Sequence, residues 1–358
     1  MRRLRLFLRL PLLAAAALAA GCATVGYYGQ AVHGHFALMA AARPIADWVG
    51  DPATPEGLRQ RLQRAAEIRR FAAEALALPD GGSYTAYADL KRPAAVWNVF
   101  ATPELSLELK TWCYPVIGCA SYRGYFDRAA AEALAAALGG AGYDVNVAPV
   151  PAYSTLGWFS DPLLNTFIFA PEPELARLVF HELAHHVVYV RDDTAFNESF
   201  ATAVEREGLR RWLAARGDDA QRAAWAAYSQ RRQEFLALLL EHRRRLGEVY
   251  ASERPDGAKR AAKAAVLDEL QQRYQRLKQE RWSGFTGYDR FFGQRLTGAH
   301  LAAVGAYNDW VPAFEAMLAA AGGDLPAFYQ QVRSIGALGK PERTAALRRL
   351  ASPSTASR

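Results

Sequence analysis

In a chain of 358 residues, 51% of them hydrophobic, there is material for a large core in one or two domains, and neither an internal repeat nor a long linker interrupts it. The formal charge of +7 sits largely in the first residues, and its distribution argues against a nucleic-acid binder. Residues 1–21 hold four arginines and no acid, so +3 remains beyond them, and Arg243-Arg244-Arg245 and Arg348-Arg349 have acids nearby and read as solvated faces.

The N-terminus reads as a lipoprotein signal peptide over 1–21. Arg2, Arg3, Arg5 and Arg9 form a basic region, Leu10 to Ala20 is apolar, and Ala19-Ala20-Gly21-Cys22 resembles a lipobox, which makes Cys22 the lipidated residue. The apolar stretch of eleven residues is too short to cross a hydrocarbon core of about 30 Å as a helix. The usual lipobox leucine stands one position early, as Leu18, so an ordinary secretory signal cleaved nearby is the other reading. Ala23, rather than Asp, follows Cys22, which implies the outer membrane of a bacterial cell envelope with the body in the periplasm.

Residues 22–150 read as an N-terminal α+β region. Helical periodicity runs from Tyr28 to Val49 and from Pro55 to Leu78, the latter with Leu58, Leu62, Ala65, Ile68 and Ala72 on one side. Strands are expected at Val96–Ala101, Leu105–Trp112 and Tyr143–Val150, with an Ala-rich helix at Arg128–Leu138. Once Cys22 is assigned to lipid, Cys113 and Cys119 remain as a disulfide in an oxidising compartment, two free thiols being the alternative.

Residues 151–335 carry the chemistry. After a strand at Asn165–Phe169, an uninterrupted helical stretch from Leu175 to Val190 contains His181-Glu182-Leu183-Ala184-His185. One helical turn apart, His181 and His185 can reach one tetrahedral metal ion, while Glu182 projects about 100° around the helix, where a general base is needed. Catalytic zinc takes three protein ligands and leaves one position for water. A second helix, capped by Thr194 and running to about Arg216, supplies the third: Glu198 is the preferred ligand, and Glu205 either supports a histidine from behind or is itself the ligand. Phe196, Phe200 and Val204 occupy the opposite side of that helix. His186 lies about 100° around from His185 and reads as a residue that packs or hydrogen-bonds locally. Long charged helices follow at Ala220–Tyr250 and Ala258–Glu280, Tyr307 is the chosen oxyanion donor ahead of His300 and Tyr288, and 336–358 reads as a flexible tail. Trp158 is either a substrate contact or part of an aromatic core loop.

His181, Glu182, His185, Asn197, Glu198, Phe200 and Ala201 resemble the metal-binding region of gluzincins, above all aminopeptidase N-type enzymes. Only residues 186–197, twelve in all, separate His185 from Glu198, fewer than in those enzymes, and the longer thermolysin-like count lands on Glu205. The chain from Cys22 to about Arg333 is similar to a family of bacterial envelope lipoproteins described as aminopeptidases, through Ser121-Tyr122-Arg123-Gly124-Tyr125-Phe126-Asp127, Ser154-Thr155-Leu156-Gly157-Trp158-Phe159, Asp161-Pro162-Leu163-Leu164 and the metal segment. The resemblance implies a mostly helical α+β zinc peptidase with one Zn2+, a small sheet before the metal helix, an edge strand that receives an extended peptide substrate, and a helical C-terminal half. The Gly-Ala-Met-Glu-Asn motif that grips a substrate amino terminus is absent, so a periplasmic endopeptidase stays open, as does a non-catalytic zinc-binding envelope lipoprotein, against which the intact Glu182 speaks.

Overall fold

The computed structural model describes residues 25–114 and 118–351; Cys22 and the signal segment lie outside them. Helix α1 spans 25–40, strand β1 Ala42–Pro44 and helix α2 Ile45–Gly50. The single helix expected from Tyr28 to Val49 is thus two. Pro44 disfavours helix at the residue before it and has no N–H to donate, and the chain instead pairs β1 with β2, Ala86–Ala88. Helix α3, Glu56–Leu76, buries Leu58, Leu62, Ala65, Ile68 and Ala72 in the main core, the face its periodicity marks.

Three small sheets follow. Strand β2 pairs antiparallel with β1 and parallel with β8, Leu163–Leu164. Strand β3, Val96–Pro103, lies between β6, Arg123–Tyr125, and β7, Tyr143–Val150, both antiparallel to it. Helix α4, Arg128–Gly140, covers this sheet and is capped by the Asp127 carboxylate, which accepts from the amides of Ala129 and Ala130. Strands β4, Trp112–Tyr114, and β5, Gly118–Ala120, form a hairpin bridged by the Cys113–Cys119 disulfide.

Two expected strands are corrected. Residues 105–111 turn after Pro103, where the Ser106 amide donates to the Pro103 carbonyl, and Leu107 packs against the helical half, so the apolar alternation there serves packing without a ladder. Asn165–Phe169 is a run of turns in which the amides of Phe167 and Ile168 both donate to the Leu164 carbonyl.

The rest is helical: α5 Glu172–Ala184, α6 Thr194–Arg216, α7 Asp219–Ala251, α8 Asp256–Glu280, α9 Asp289–Phe292, α10 Gly298–Asn308, α11 Val311–Ala320, α12 Leu325–Gly336 and α13 Lys340–Ala351. The fold is therefore a mostly helical α+β arrangement with small sheets. Helices α5 and α6 pack together within the main core. Helices α7 and α8 form an antiparallel hairpin, pairing Glu241 with Arg273 and Arg245 with Glu269, and enclose a second core around Leu246, Leu270, Tyr274 and Phe292.

The flexible tail expected at 336–358 is corrected as far as residue 351, and 352–358 lie outside the described residues. Helix α13 buries Leu347 and the Arg343 side chain; the guanidinium donates to Asp193 Oδ2 at 2.8 Å and to the carbonyls of Gly336 and Leu338 at 3.2 and 2.7 Å. A short polar composition hides this because few residues make the attachment, Arg343 and Leu347 above all. Replacing Arg343 by Met strands a buried carboxylate and two carbonyls, and we expect a loss of about 3 kcal/mol in urea unfolding. An unchanged midpoint would return this segment to a loose tail.

Candidate metal centre

Helix α5 starts after Pro171 with Pro173 in its first turn, where a missing N–H costs nothing, and Glu172 and Glu174 complement the positive end of its dipole. It ends at Ala184, one residue short of the second histidine. His185 caps it in a right-handed conformation and His186 lies in the following turn, so the motif sits at the end of the helix and not in its middle.

The return to α6 is short, and hydrogen bonds at three residues, Asn197, Asp193 and Asp192, restrain it. Asn197 bridges Val190 from both sides, its Oδ1 accepting from the Val190 amide and its Nδ2 donating to the Val190 carbonyl, each at 2.8 Å. Asp193 caps α6 through the Phe196 amide, the role expected of Thr194, and its other oxygen takes Arg343. Asp192, at a positive φ of 63°, accepts from the Cys119 amide at 2.5 Å, which ties the disulfide hairpin to the turn.

This geometry brings His181, His185 and Glu198 together, all buried, with ligand atoms within 4.8 Å of one another, and the group could hold a metal ion. Glu198 Oε2 lies 3.3 Å from His181 Nε2 and 3.8 Å from His185 Nε2. Ligand atoms around tetrahedral zinc stand about 3.3 Å apart when bonds are about 2.0–2.1 Å long, so both the donor set and its spacing suit such an ion. Glu205 is not in this group. It faces the other nitrogen of the same ring, accepting from His181 Nδ1 at 2.9 Å, and is itself held by Arg177 at 2.6 Å and Arg232 at 3.3 Å. That is the arrangement that fixes a ligand imidazole's tautomer and orientation.

The electrostatics match these roles. Burial raises the Glu205 carboxyl, but Arg177 and the His181 hydrogen bond outweigh it and hold it far below the usual range. Burial disfavours the His181 imidazolium, yet its bonds to Glu198 and Glu205 lift it to about 10. Burial alone dominates at His185, which falls to about 4. At Glu182 burial prevails over the attraction of His181, and with Glu198 and Asp161 nearby the carboxyl is pushed up to about 7.

The rim is more open than the ligands. Glu182, Tyr122 and Tyr307 keep partial exposure, and the phenols of Tyr122 and Tyr307 are raised by burial and then by Glu198, with Glu182 contributing to both. Tyr307 from α10 is therefore beside the site, whereas His300 is occupied in capping that helix, its Nδ1 accepting from the Thr297 amide, and Tyr288 stacks on Phe235. His186 has Nε2 3.8 Å from the buried Asp161 carboxylate and packs near Gly157, in keeping with its local reading. Trp158, 74% exposed at the tip of the loop over His186, is not part of a core. Tyr122, Tyr84 and Asp161 are neighbours of the site that sequence reasoning missed. Tyr122 stands in a segment noted for resemblance alone, and no spacing links it to residue 182.

A buried two-histidine, one-carboxylate group with a carboxylic acid of raised pKa beside it is the kind of site that hydrolytic metalloenzymes use. The comparison with sequence families agrees in class: a family model described as "Putative aminopeptidase" matches residues 26–347, and the chain belongs to that family. No curated protein and no solved structure matches the chain.

Exchanging Glu205 for Gln leaves the first ligands in place but removes the charge that orients His181. Zinc affinity measured against a competing chelator should fall about 10- to 100-fold with the circular dichroism unchanged; equal affinity would assign Glu205 to the Arg177–Arg232 network alone.

Proposed function

We propose that the chain is a zinc-dependent aminopeptidase, gluzincin-like at its metal site, in which His181, His185 and Glu198 hold one Zn2+ and Glu182 is the general base. The observation that carries the reading is the convergence of the three ligand side chains with Glu182 beside them. When bound, zinc supplies Lewis acidity, which makes water a nucleophile near neutral pH and polarises a peptide carbonyl. Glu182 accepts the proton that the attacking water loses and delivers it to the departing amine. A carboxyl raised to about 7 suits both halves of that transfer near neutral pH. The hydroxyls of Tyr307 and Tyr122, whose protons burial retains, are aligned with the role of donor to the oxygen that gains charge in the tetrahedral intermediate. Trp158 offers an apolar platform for a substrate side chain on the loop next to His186.

The reading extends to place. With Cys22 lipidated, the protein is held on the outer membrane with its body in the periplasm, and the Cys113–Cys119 disulfide suits that oxidising compartment.

In the test of this reading, Glu182→Gln retains one zinc per chain by metal analysis and loses at least about 1000-fold in turnover of aminoacyl substrates. Wild-type turnover in that variant would refute the mechanism, and cleavage confined to amino-blocked, internally quenched peptides would make the enzyme an endopeptidase. Removal of the hydroxyl by Tyr307→Phe should lower kcat by about 100-fold with little change in KM; an unaltered kcat would remove Tyr307 from the transition state.

A further inference from the structure

Helix α1 turns toward solvent a face on which no residue is charged. Residues 25–40 include no Asp, Glu, Lys or Arg. Gly34 and Leu38 point inward, while Val25, Val32 and Phe36 are 72%, 54% and 61% exposed and Tyr28 is 39% exposed. Their spacings of three, four and four residues set them in one stripe along the helix. Beside the stripe lies Phe159, half exposed on the loop between β7 and β8: the His35 ring stands between it and Phe36, 4.6 and 5.3 Å between centroids. Helices that face water carry charge on the wet side, and a contiguous exposed apolar band marks a contact surface.

Where the chain leads from this helix identifies the occupant. Cys22 stands three positions before Val25, so a diacylglyceryl group on its sulfur would enter the bilayer within about 10 Å of the start of the stripe. We infer that Val25, Tyr28, Val32 and Phe36 of α1, with Phe159, lie on a phospholipid bilayer as an in-plane interfacial face. This rests on the reading of Cys22 as the lipidated residue. An uncharged face enters the headgroup region without the cost of desolvating an ammonium or carboxylate, and the Tyr28 ring suits the headgroup level. The lipid then serves as a tether and the helix as a second contact that sets the orientation of the body. The loop carrying Trp158 is drawn to the same height, so the site is held at a fixed distance from the membrane.

The experiment uses the mature chain from residue 22 with Cys22→Ser, which cannot be acylated, sedimented with vesicles of phosphatidylethanolamine and phosphatidylglycerol. Partition should be detectable, and Val32→Glu with Phe36→Glu should lower it by roughly fivefold or more, with zinc content, thermal midpoint and hydrolysis of a small aminoacyl substrate unchanged. Equal sedimentation of the two proteins, or none by either, overturns the proposal. A dimer in sedimentation equilibrium that the double substitution dissociates also overturns it, by assigning the face to a second copy of the chain. Labelling of the full chain with a radioactive fatty acid separates the two readings. Vesicle binding that depends on Val32 and Phe36 without acylation of Cys22 keeps the docking face and removes the anchor; acylation without such binding keeps the anchor and removes the face.

Discussion

The α5–α6 connection is the constraint on which the site depends. Ligands on two helices converge only if the second helix returns at one height and one rotation, and here the return takes nine residues, 185–193. A connection this short has few conformations, and Asn197, Asp193 and Asp192 hold it in one of them from three directions. Its restraints come from distant parts of the chain: the disulfide hairpin through Cys119, and α13 through Arg343 and through Lys340, whose ammonium donates to the Asp192 carbonyl at 3.0 Å. The disulfide hairpin and helix α13 thus meet at the turn that sets the distance from His185 to Glu198.

Behind the ligands runs a chain of charge. Arg177 and Arg232 hold Glu205, Glu205 holds His181 Nδ1, and His181 Nε2 faces Glu198. Buried charges are costly unless paired, and this series pairs each with the next, so ring orientation is fixed before any cation arrives. The same burial that makes the series necessary raises Glu182, which has no arginine partner among its perturbers. One low-dielectric pocket therefore moves two glutamates in opposite directions, Glu205 below the usual carboxylate range and Glu182 above it.

Much of this was legible in the sequence. The i,i+4 histidines, the stripe of Glu198 and Glu205 against Phe196 and Phe200, and the pair of long helices α7 and α8 all follow from a period near 3.6, which is a local property. What periodicity missed depends on partners far along the chain. The alternation at Leu105–Trp112 looks like a strand, but among the described residues only its last one, Trp112, enters a ladder, opposite Ala120. Asn165–Phe169 bends because consecutive amides share the Leu164 carbonyl. Composition made the last segment a tail, whereas Arg343 reaches 150 residues back to Asp193. The choice between Glu198 and Glu205 could not be made from spacing, since both lie on one face; the opposite nitrogens of His181 distinguish them in space.

The central claim is that one cation is held between two neighbouring helices by two imidazoles and one carboxylate. Crystals of the zinc-loaded protein, measured at the zinc absorption edge, test it directly. The account predicts a single anomalous peak bonded to Nε2 of His181 and of His185 and to the carboxylate of Glu198, with Glu205 hydrogen-bonded behind His181. A peak at other side chains, or none after loading, would contradict it.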